Sequence, residues 1–531
     1  MLVKVSALVG AVLVTMMASA ASPASAANFN PAPGAYTADT GALTLTGPGT
    51  SIAGADVNGV AVFSFDDVNI PSGVTIQAQG SRPLKIVASG NMTMAGVIEA
   101  NGASVTADGV ATASPGGPGG TAGGAGGTAG SGQGGGGLAS NAQNGGGGGG
   151  FGGAGARGAV YSATGSGGLG GPAYGDLDAL FQGGSGGAGS GQGGLPTAGG
   201  GGGGAVALHA SALTISGVIL ASGGSGACSS GGGSGGGSGG AIVLHADTLE
   251  STGVLFATGG SGGLGGIYAD GGGGGGGRVA YQFKTLVSSG TPIVSGGTSG
   301  TRTTSGCSGH GGVSPDPTGA AGSVTKSKAA SANTGPATAV STTSATLNGT
   351  INPNLNPTSY RFEFGNTGAY GSFAPAGPAP VGSDGADHVV SQTLTGLTPN
   401  TTYHYRVVAT DALGFTTVGS DVGFTTTAAA TPTPPPAPVK SVPQTRISKA
   451  KIDAQKGTAT FTFKAVGTAT GFQCALTKKQ QGKKAKKPKF RKCRSPKSYT
   501  NLKEGKYSFG VRAVGTGGAD STPAKRTFTI E

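Results

Sequence analysis

A stretch that occurs three times limits what this chain can fold into. The copies begin at Ala205, Ala241 and Arg278, 36 and 37 residues apart, and read AVALHASALTISGVILASGG, AIVLHADTLESTGVLFATGG and RVAYQFKTLVSSGTPIVSGG. Short alternating runs that end in glycine are typical of strands, and like residues at one register indicate strands stacked in parallel. The sequence therefore predicts an all-β fold containing a parallel β-helix or related solenoid. The apolar columns that superpose without a gap are Val206/Ile242/Val279, Leu208/Leu244/Tyr281, Leu213/Leu249/Leu286, Val218/Val254/Thr291 and Leu220/Phe256/Ile293.

An earlier stretch extends this pattern. MTMAGVIEANG, which begins at Met92, matches LTISGVILASG of the first copy, and 28–102 reads as strands separated by turns. Without gaps, Lys85 and Glu99 fall where the later copies are apolar. We expect this stretch to be an earlier layer of the same solenoid or a cap on it, and we place the whole solenoid at 28–313.

Glycine dominates the composition and the middle of the predicted solenoid. The chain has 114 glycines in 531 residues, and the segment 116–204 holds 44 in 89. Because glycine contributes no side chain to a core, backbone pairing must stabilise more of the fold. Two alternatives stay open for 116–204: packed polyglycine-II helices, or a flexible low-complexity insertion. Shorter tracts at the same point of the later copies, 231–240 and 271–277, favour an ordered layer. Over about 60–310 the arrangement resembles glycine-rich bacterial surface proteins that place such loops on β-helical layers.

The N-terminus predicts export. Lys4 precedes a short apolar run, and Ala24-Ser25-Ala26 is a small-x-small cleavage site, so 1–26 reads as a signal peptide. The apolar run is too short to span a bilayer comfortably, and we expect no transmembrane segment in the mature chain. The predicted location is extracellular, either free or held non-covalently at the cell wall. Four cysteines in an exported chain favour disulfides.

A different pattern begins after a Ser/Pro/Lys/Ala-rich link at 314–333. GPATAVSTTSATLNGTINPN, TSYRFEFGNTGAYG and LTGLTPNTTYHYRVVATDALG together resemble a bacterial fibronectin type III domain over the whole of 334–427. The resemblance implies a two-sheet sandwich in which the Tyr403 hydroxyl bonds to upstream backbone. The residues that alternate as strands of opposing sheets are Ala345, Leu347, Tyr360, Phe362 and Phe364.

A Pro-rich linker at 428–443 precedes the last segment, 444–531. There ATFTFKA, GFQCALT, CRSPKSYTNLKEGKYSFGVRAVG and FTI resemble the short Ig-like β-sandwich modules of secreted actinobacterial proteins. Cys474 and Cys493 lie beside strand-like runs in an exported chain, and we predict a disulfide between them. We also predict that Cys228 pairs with Cys307; unlike the first pair, both lie in loops of the solenoid.

Two histidines share one column of the repeat. His209 and His245 are followed there by Gln282 in the third copy. Stacked strands would bring the two rings about 4.8 Å apart, which allows either a two-histidine metal site or a polar ladder on the outer face. We favour the ladder and expect no metal, because no carboxylate or third histidine accompanies the pair.

The sequence offers no catalytic constellation, and we expect a non-enzymatic protein without a cofactor. The alternative is a polysaccharide-active enzyme, a glycoside hydrolase or lyase with its site on the β-helix and an accessory fibronectin type III module. Such a site needs two carboxylates at a fixed separation in a cleft. The carboxylates in or near the solenoid do not recur in phase; they are Asp66, Asp67, Glu99, Asp176, Asp178, Asp247, Glu250 and Asp270.

The strongest chemical signal is the run KKQQGKKAKKPKFRKCR at 478–494, with ten basic residues in 17 and no acid. The segment 444–531 holds 21 Lys and Arg against 4 Asp and Glu, so its net charge is +17 while the remainder is −5. The run is either a solvated hairpin tip or an adhesive surface for polyanions. Phe490 is its only aromatic residue, so we expect no specific nucleic acid partner. The predicted polyanion-binding residues are Lys478, Lys479, Lys483, Lys484, Lys486, Lys487, Lys489, Arg491, Lys492 and Arg494.

These features together predict a cell-surface or extracellular-matrix protein with an adhesive or structural role. Its basic C-terminal domain would contact an anionic cell-wall or matrix polymer. The sequence does not indicate an oligomeric state.

Overall fold

The regular structure of the protein is β-strand. The computed structural model describes residues 27–105, 109–161, 165–175, 181–190, 196–266, 268–300, 318–430, 440–480 and 487–531. Within these ranges there are 32 strands and no α-helix, so the all-β prediction is confirmed. Across the same ranges, no helix has the length and apolar character needed to cross a membrane. The described residues form two compact units, one ending at Ala429 and the other beginning at Ala430.

Residues 28–328 form two large sheets, which we call the stacked-sheet region. One sheet has the strand order β14-β12-β10-β7-β1-β2-β3 and the other β16-β15-β13-β11-β8-β5-β4, with β9 pairing β6 and β11. Neighbouring strands are parallel except in the hairpins β1-β2-β3 and β4-β5. The strands are β1 (Gly34–Asp39), β2 (Thr44–Gly47), β3 (Thr50–Ala53), β4 (Ala55–Val57), β5 (Val60–Phe65), β6 (Val68–Ile70), β7 (Val74–Gln79), β8 (Leu84–Ala88), β9 (Asn91–Met94), β10 (Val97–Glu99), β11 (Ala205–Ile215), β12 (Val218–Leu220), β13 (Ala241–Ser251), β14 (Val254–Phe256), β15 (Arg278–Ser289) and β16 (Ser323–Lys328).

The register predicted from the repeat is confirmed. Strand β11 pairs in parallel with β13, and β13 with β15, so that Leu244 lies between Leu208 and Tyr281. These three side chains are fully buried in one core shared by both sheets. Strand β16 also pairs in parallel with β15, which extends the sheet into the segment 314–333 that the sequence analysis treats as a link.

Two of the predicted apolar columns face outward. In β12 and β14 the inward side chains are Ile219 and Leu255, which stack on Ile98 of β10 and are buried. Val254 and Ile293, from the columns predicted as apolar, are each 40% exposed. Because side chains alternate between the two faces of a strand, a run that is apolar on both faces does not reveal which set turns inward.

The earlier layer pairs as predicted, but with one inserted residue. Leu84, not Lys85, occupies the column of Val206, and Lys85 lies opposite Ala207 on the outer face. The shift arises because three residues lie between Val87 and Asn91, whereas only two lie between their partners His209 and Ala212 in the continuous strand β11. The gap-free alignment, which puts Lys85 in an apolar position of the core, is therefore wrong at this residue.

The glycine segments pack against one another through regular backbone hydrogen bonds. In the tract 145–150, every third N–H donates to the same neighbouring segment, so that its N–H groups bond to three segments in turn. The donor–acceptor pairs are Gly145 to Ala159 and Gly148 to Ala156, Gly146 to Gly233 and Gly149 to Gly236, and Gly147 to Gly137 and Gly150 to Gly134. A three-residue period without internal bonds is the geometry of an extended left-handed helix with three residues per turn. The described glycine tract therefore follows the polyglycine-II alternative.

Close approach of these backbones explains why the residues are glycine. A Cβ added at Gly148 would lie 2.0 Å from the carbonyl oxygen of Gly273, and one at Gly147 would lie 2.0 Å from that of Leu169. No side-chain atom fits at such distances, and the neighbouring atoms are backbone that is itself hydrogen-bonded.

A sandwich of two sheets, which we call the first sandwich, follows at Ser331–Thr425. Its three-stranded sheet is β17-β18-β21; the other joins β20-β19-β22-β23, with β24 on β22. The predicted strand residues Ala345, Leu347 and Phe362 are fully buried between the sheets. The Tyr403 hydroxyl accepts a bond from the Thr398 N–H at 3.0 Å, as predicted. The strands are β17 (Ser331–Thr334), β18 (Ser344–Asn352), β19 (Thr358–Gly365), β20 (Ser372–Gly382), β21 (His388–Thr395), β22 (Thr402–Asp411), β23 (Thr416–Val418) and β24 (Val422–Thr425).

A second sandwich, at Gln444–Ile530, has an aromatic core. Phe461 of one sheet stacks on Phe509 of the other at 4.0 Å between ring centroids. The sheets are β25-β26-β29 and β28-β27-β30-β31, with β32 on β30. The strands are β25 (Gln444–Asp453), β26 (Thr458–Val466), β27 (Gly471–Lys478), β28 (Arg491–Cys493), β29 (Lys497–Tyr499), β30 (Gly505–Gly515), β31 (Gly518–Ala519) and β32 (Ala524–Ile530).

Candidate polyanion-binding face

The basic run forms the two arms of a hairpin on the second sandwich. Strands β27 and β28 pair antiparallel, with Gln473 opposite Lys492. Cys474 and Cys493 form a disulfide across the base of this hairpin, as predicted. Lys483, Lys484 and Lys486 lie outside the described residues.

The described basic side chains of the hairpin are open to solvent. All seven are exposed, and no ion pair joins any of them to a carboxylate of the described chain; they are Lys478, Lys479, Lys487, Lys489, Arg491, Lys492 and Arg494. Two of the domain's four acids have other partners: Asp453 pairs with Lys456, and Asp520 is fully buried and accepts two bonds from Thr522. The positive charge of this hairpin is therefore not neutralised by neighbouring acids.

Phe490 and Arg512 build a contact that the sequence analysis did not foresee. The Arg512 guanidinium lies over the Phe490 ring, 4.6 Å from its centroid, and its Nε donates to the Gln473 side-chain oxygen at 2.8 Å. Such a stack holds the planar guanidinium in place while other N–H groups point away from the ring. A glycine signals this contact: Gly510 stands inside β30, and a Cβ there would meet the Phe490 ring at 3.4 Å.

These residues share the outer face of one sheet. Lys492, Gln473 and Arg512 stand in one row across β28, β27 and β30. Lys525 lies opposite Gly510 on β32, on the same face. We call Phe490, Lys492, Arg512 and Lys525 the basic face. Cations held on one face of a sheet can attract a polymer with repeated negative charges.

The histidine column has a different surrounding from the one predicted. The rings of His209 and His245 stack at 4.3 Å, and Phe415 of the first sandwich stacks on His245 at 4.0 Å. His245 also lies 3.1 Å from the Gln282 side-chain oxygen. Burial, with the nearby Lys85 and His245, lowers the pKa of His209 to about 2; burial also lowers the pKa of His245. The column is thus a neutral stack on the outer face of the sheet, and Phe415 covers it.

The loop carrying Phe415 is held by a buried carboxylate. Asp411 accepts bonds from the N–H groups of Leu413 and Phe415 with one oxygen and from Ala330 with the other. The same residue therefore fixes the loop and holds Ala330, in the short connection between β16 and β17. In the described part of the chain, no group of three or more His, Cys, Asp or Glu could hold a metal ion.

The carboxylates that the sequence analysis names in this part of the chain have separate surroundings in the stacked-sheet region. Asp67 accepts the Asn91 N–H, Asp247 pairs with Lys284, and Asp270 accepts the Gly265 N–H. Glu99 lines a groove on the seven-stranded sheet. Asp176 and Asp178 lie outside the described residues.

Of the two cysteines in the second predicted disulfide, one lies within the described residues. Cys228 is a disulfide cysteine. Cys307 lies outside the described residues.

Comparisons with known proteins find local similarity. No family model and no curated protein matches the chain. The solution structure of the sensor domain of the anti-sigma factor RsgI4 from Pseudobacteroides cellulosolvens is 25% identical over 20% of this chain and 90% of that chain, with a TM-score of 0.15. The crystal structure of chicken CNTN1 FN1-FN3 domains is 14% identical over 37% of this chain and 66% of that chain, with a TM-score of 0.14. Scores this low do not support a functional assignment.

Proposed function

We propose that this protein is a secreted, non-enzymatic surface or matrix protein that is anchored to anionic envelope or matrix polymers by its second sandwich. One observation carries the proposal: the described basic side chains of the hairpin are all exposed and none is paired with an acid. Exposed cations gain more from a polyanion than paired ones, because no internal ion pair has to be broken first.

The remaining domains are proposed as a spacer or contact surface. In-register parallel pairing and one core shared by both sheets support a β-solenoid for the stacked-sheet region. Two packed sheets and the Tyr403 bond support a fibronectin type III domain for the first sandwich, and the aromatic two-sheet core supports an Ig-like module for the second. The Cys474–Cys493 disulfide supports export, because such bonds persist in oxidising compartments.

Binding of this kind would depend on charge more than on shape. Each neutralised anionic site releases a counterion, so affinity should fall steeply as salt rises. Carboxylate, phosphate and sulfate polymers should all bind, with affinities ordered by charge density. The single carboxylate among the groove residues gives no support to the alternative of a carbohydrate-cleaving enzyme, which needs two.

The test compares two variants that lose the same charge. In one, four exposed residues of the hairpin are changed to Gln: Lys487, Lys489, Arg491 and Lys492. In the other, four exposed lysines on the opposite sheet and its turn are changed to Gln: Lys449, Lys451, Lys456 and Lys464. Binding of the full secreted chain to inorganic polyphosphate, polyglutamate and isolated cell walls is measured over a salt series.

We expect the hairpin variant to lose about tenfold or more in affinity for every polyanion and to show a flatter salt dependence, while the control variant changes little. Equal losses in both variants would mean that net charge alone acts and that the hairpin has no special role. Binding that persists at about 0.5 M salt, where exposed charges are largely screened, would contradict an electrostatic anchor.

A further inference from the structure

A polar groove lies on the outer face of the seven-stranded sheet, far along the chain from the basic face. Its volume is about 310 Å³, and β7, β10 and the glycine segment beginning at Pro115 line it. The polar side chains in the lining are Gln77, Gln79, Glu99 and Asn101. A volume of this order admits a small ligand or part of a polymer chain.

Two of these side chains have no partner of their own. Gln77 and Glu99 lie directly opposite each other, and neither hydrogen-bonds or ion-pairs with another described residue. The other two are held: Gln79 donates to Asp39 at 3.4 Å, and Asn101 accepts the Ser222 N–H at 2.8 Å. The groove thus presents a free carboxylate, which accepts hydrogen bonds, beside a free amide, which both donates and accepts.

An apolar strip continues from the groove in the same column. Glu99 is followed by Leu220, Phe256 and Ile293 on successive parallel strands, and all three are at least partly exposed. Strands are spaced by about 4.8 Å, so the backbone positions of Glu99 and Phe256, two strands apart, are separated by roughly 10 Å on one face of the sheet. A ligand along this column would meet hydrogen-bonding groups first and an aliphatic and aromatic surface next.

We propose that this groove and strip bind a neutral, hydroxyl-rich polysaccharide. Sugar hydroxyls both donate and accept, which matches Glu99 and Gln77, while the apolar C–H faces of sugar rings match Leu220 and Phe256. The inference goes beyond the polyanion anchor and is independent of it.

Other ligand classes fit less well. A polyanion would meet the negative charge of Glu99 in the groove and of Asp39 beside it. A peptide strand could not add to this sheet here, because β7 already pairs with β1 and β10, and β10 pairs with β12, leaving no free backbone edge at the groove.

The test uses a substitution taken from the next layer of the sheet. Glu99→Leu places at this position the residue that already stands at Leu220, so the strand should keep its fold. Gln77→Leu removes the second free group, and Glu250→Leu is the control, since it removes a half-buried glutamate of the nine-stranded sheet outside the groove. The full chain is titrated with linear hexasaccharides of glucose, mannose and N-acetylglucosamine by calorimetry.

We expect at least one hexasaccharide to bind, with an affinity that is the same at low and high salt. Glu99→Leu and Gln77→Leu should each lower this affinity about tenfold or more, and Glu250→Leu and the four-residue hairpin variant should not. Failure of all three sugars to bind, equal affinity in wild type and Glu99→Leu with unchanged melting, or binding that disappears in salt or in the hairpin variant would each overturn the proposal. None of these results bears on polyanion binding, which is measured separately.

Discussion

The stacked-sheet region and the second sandwich become ordered by opposite means. In the first, glycine backbones bond to one another, and columns of aliphatic residues fill a shared core together with a few aromatic ones such as Phe63 and Tyr281. In the second, large aromatic rings such as Phe461 and Phe509 meet between two sheets, and the Cys474–Cys493 bond closes the hairpin. The first therefore depends on the absence of side chains at fixed spacing, and the second on the identity of a few large ones.

The largest difference between the two regions should appear in the unfolding free energy when one methyl group is added to each. Gly148→Ala would place a Cβ 2.0 Å from the Gly273 carbonyl oxygen, whereas Gly471→Ala, in the second sandwich, meets nothing within 4 Å. We expect Gly148→Ala to lower the free energy of unfolding of the stacked-sheet region by about 3–5 kcal/mol, since bonded backbone cannot move aside. Gly471→Ala should change stability by less than about 1 kcal/mol. Thermal unfolding followed by calorimetry measures both; similar effects would show that the glycine layer is loosely packed.

Removing the disulfide should affect only the second sandwich. Replacing Cys474 and Cys493 by Ala opens a loop whose ends are 19 residues apart. In the chain-entropy account, closing such a loop contributes about 3 kcal/mol. Hydrogen exchange in the full chain should then speed up in β30, with β13 unchanged as the internal control. Unchanged exchange in β30 would mean that the aromatic core alone sets the stability of this sandwich.

Between about pH 6.5 and 5, acid should weaken the stacked-sheet region but not the second sandwich, which contains no histidine. The pKa of His209 is about 2 in the folded protein and about 6.5 when unfolded, so below pH 6.5 only the unfolded chain takes up the proton. The stabilisation is complete above pH 6.5 and falls by about 1.4 kcal/mol per pH unit below it, or roughly 2 kcal/mol by pH 5. His209→Phe keeps an aromatic ring in the stack and should remove the part of this pH dependence that His209 contributes; the part from His245, whose pKa burial also lowers, should remain. An identical pH profile in wild type and variant would contradict the burial of a neutral ring.

The smallest effect concerns the basic face. Arg512→Lys keeps the charge but removes the planar group that stacks on Phe490. We expect about a threefold loss of affinity for polyphosphate, with no change in its salt dependence because the charge is retained. Lys525→Arg is the reciprocal control and should preserve affinity. A loss as large as that of the four-residue hairpin variant would make Arg512 a specific contact instead of one charge among several.

Much of the strand pairing could be predicted from the sequence, because each column of the repeat carries side chains of its own. The pairing of Leu208, Leu244 and Tyr281 follows from their spacing, and the disulfide follows from two cysteines beside strands. The inserted residue before β9 could not be predicted, since the turn there has no side chain that distinguishes one length from another. The hydrogen-bonding partners of each glycine segment could not be predicted either, because a run of identical residues does not distinguish one alignment with a neighbouring segment from another.

The candidate site was predicted in part for the same reason. The run of lysines indicates the basic hairpin directly in the sequence. The contact between Phe490 and Arg512 does not appear there, because the two residues are distant in sequence. Likewise, His209 and His245 share a column, yet Phe415, which covers them, comes from another sheet system. Contacts between elements distant in sequence leave no periodic signal. Here such a contact determines how far the histidine column is shielded from solvent.

The three-neighbour bonding of the glycine tract also sets the steps by which such a layer can change length during evolution. One residue gained or lost turns every later N–H by a third of a revolution, towards the wrong neighbour. Three residues gained or lost return each N–H to its own neighbour and only slide the tract along it. We therefore expect insertions and deletions within the tract 145–150 of related proteins to occur in multiples of three residues.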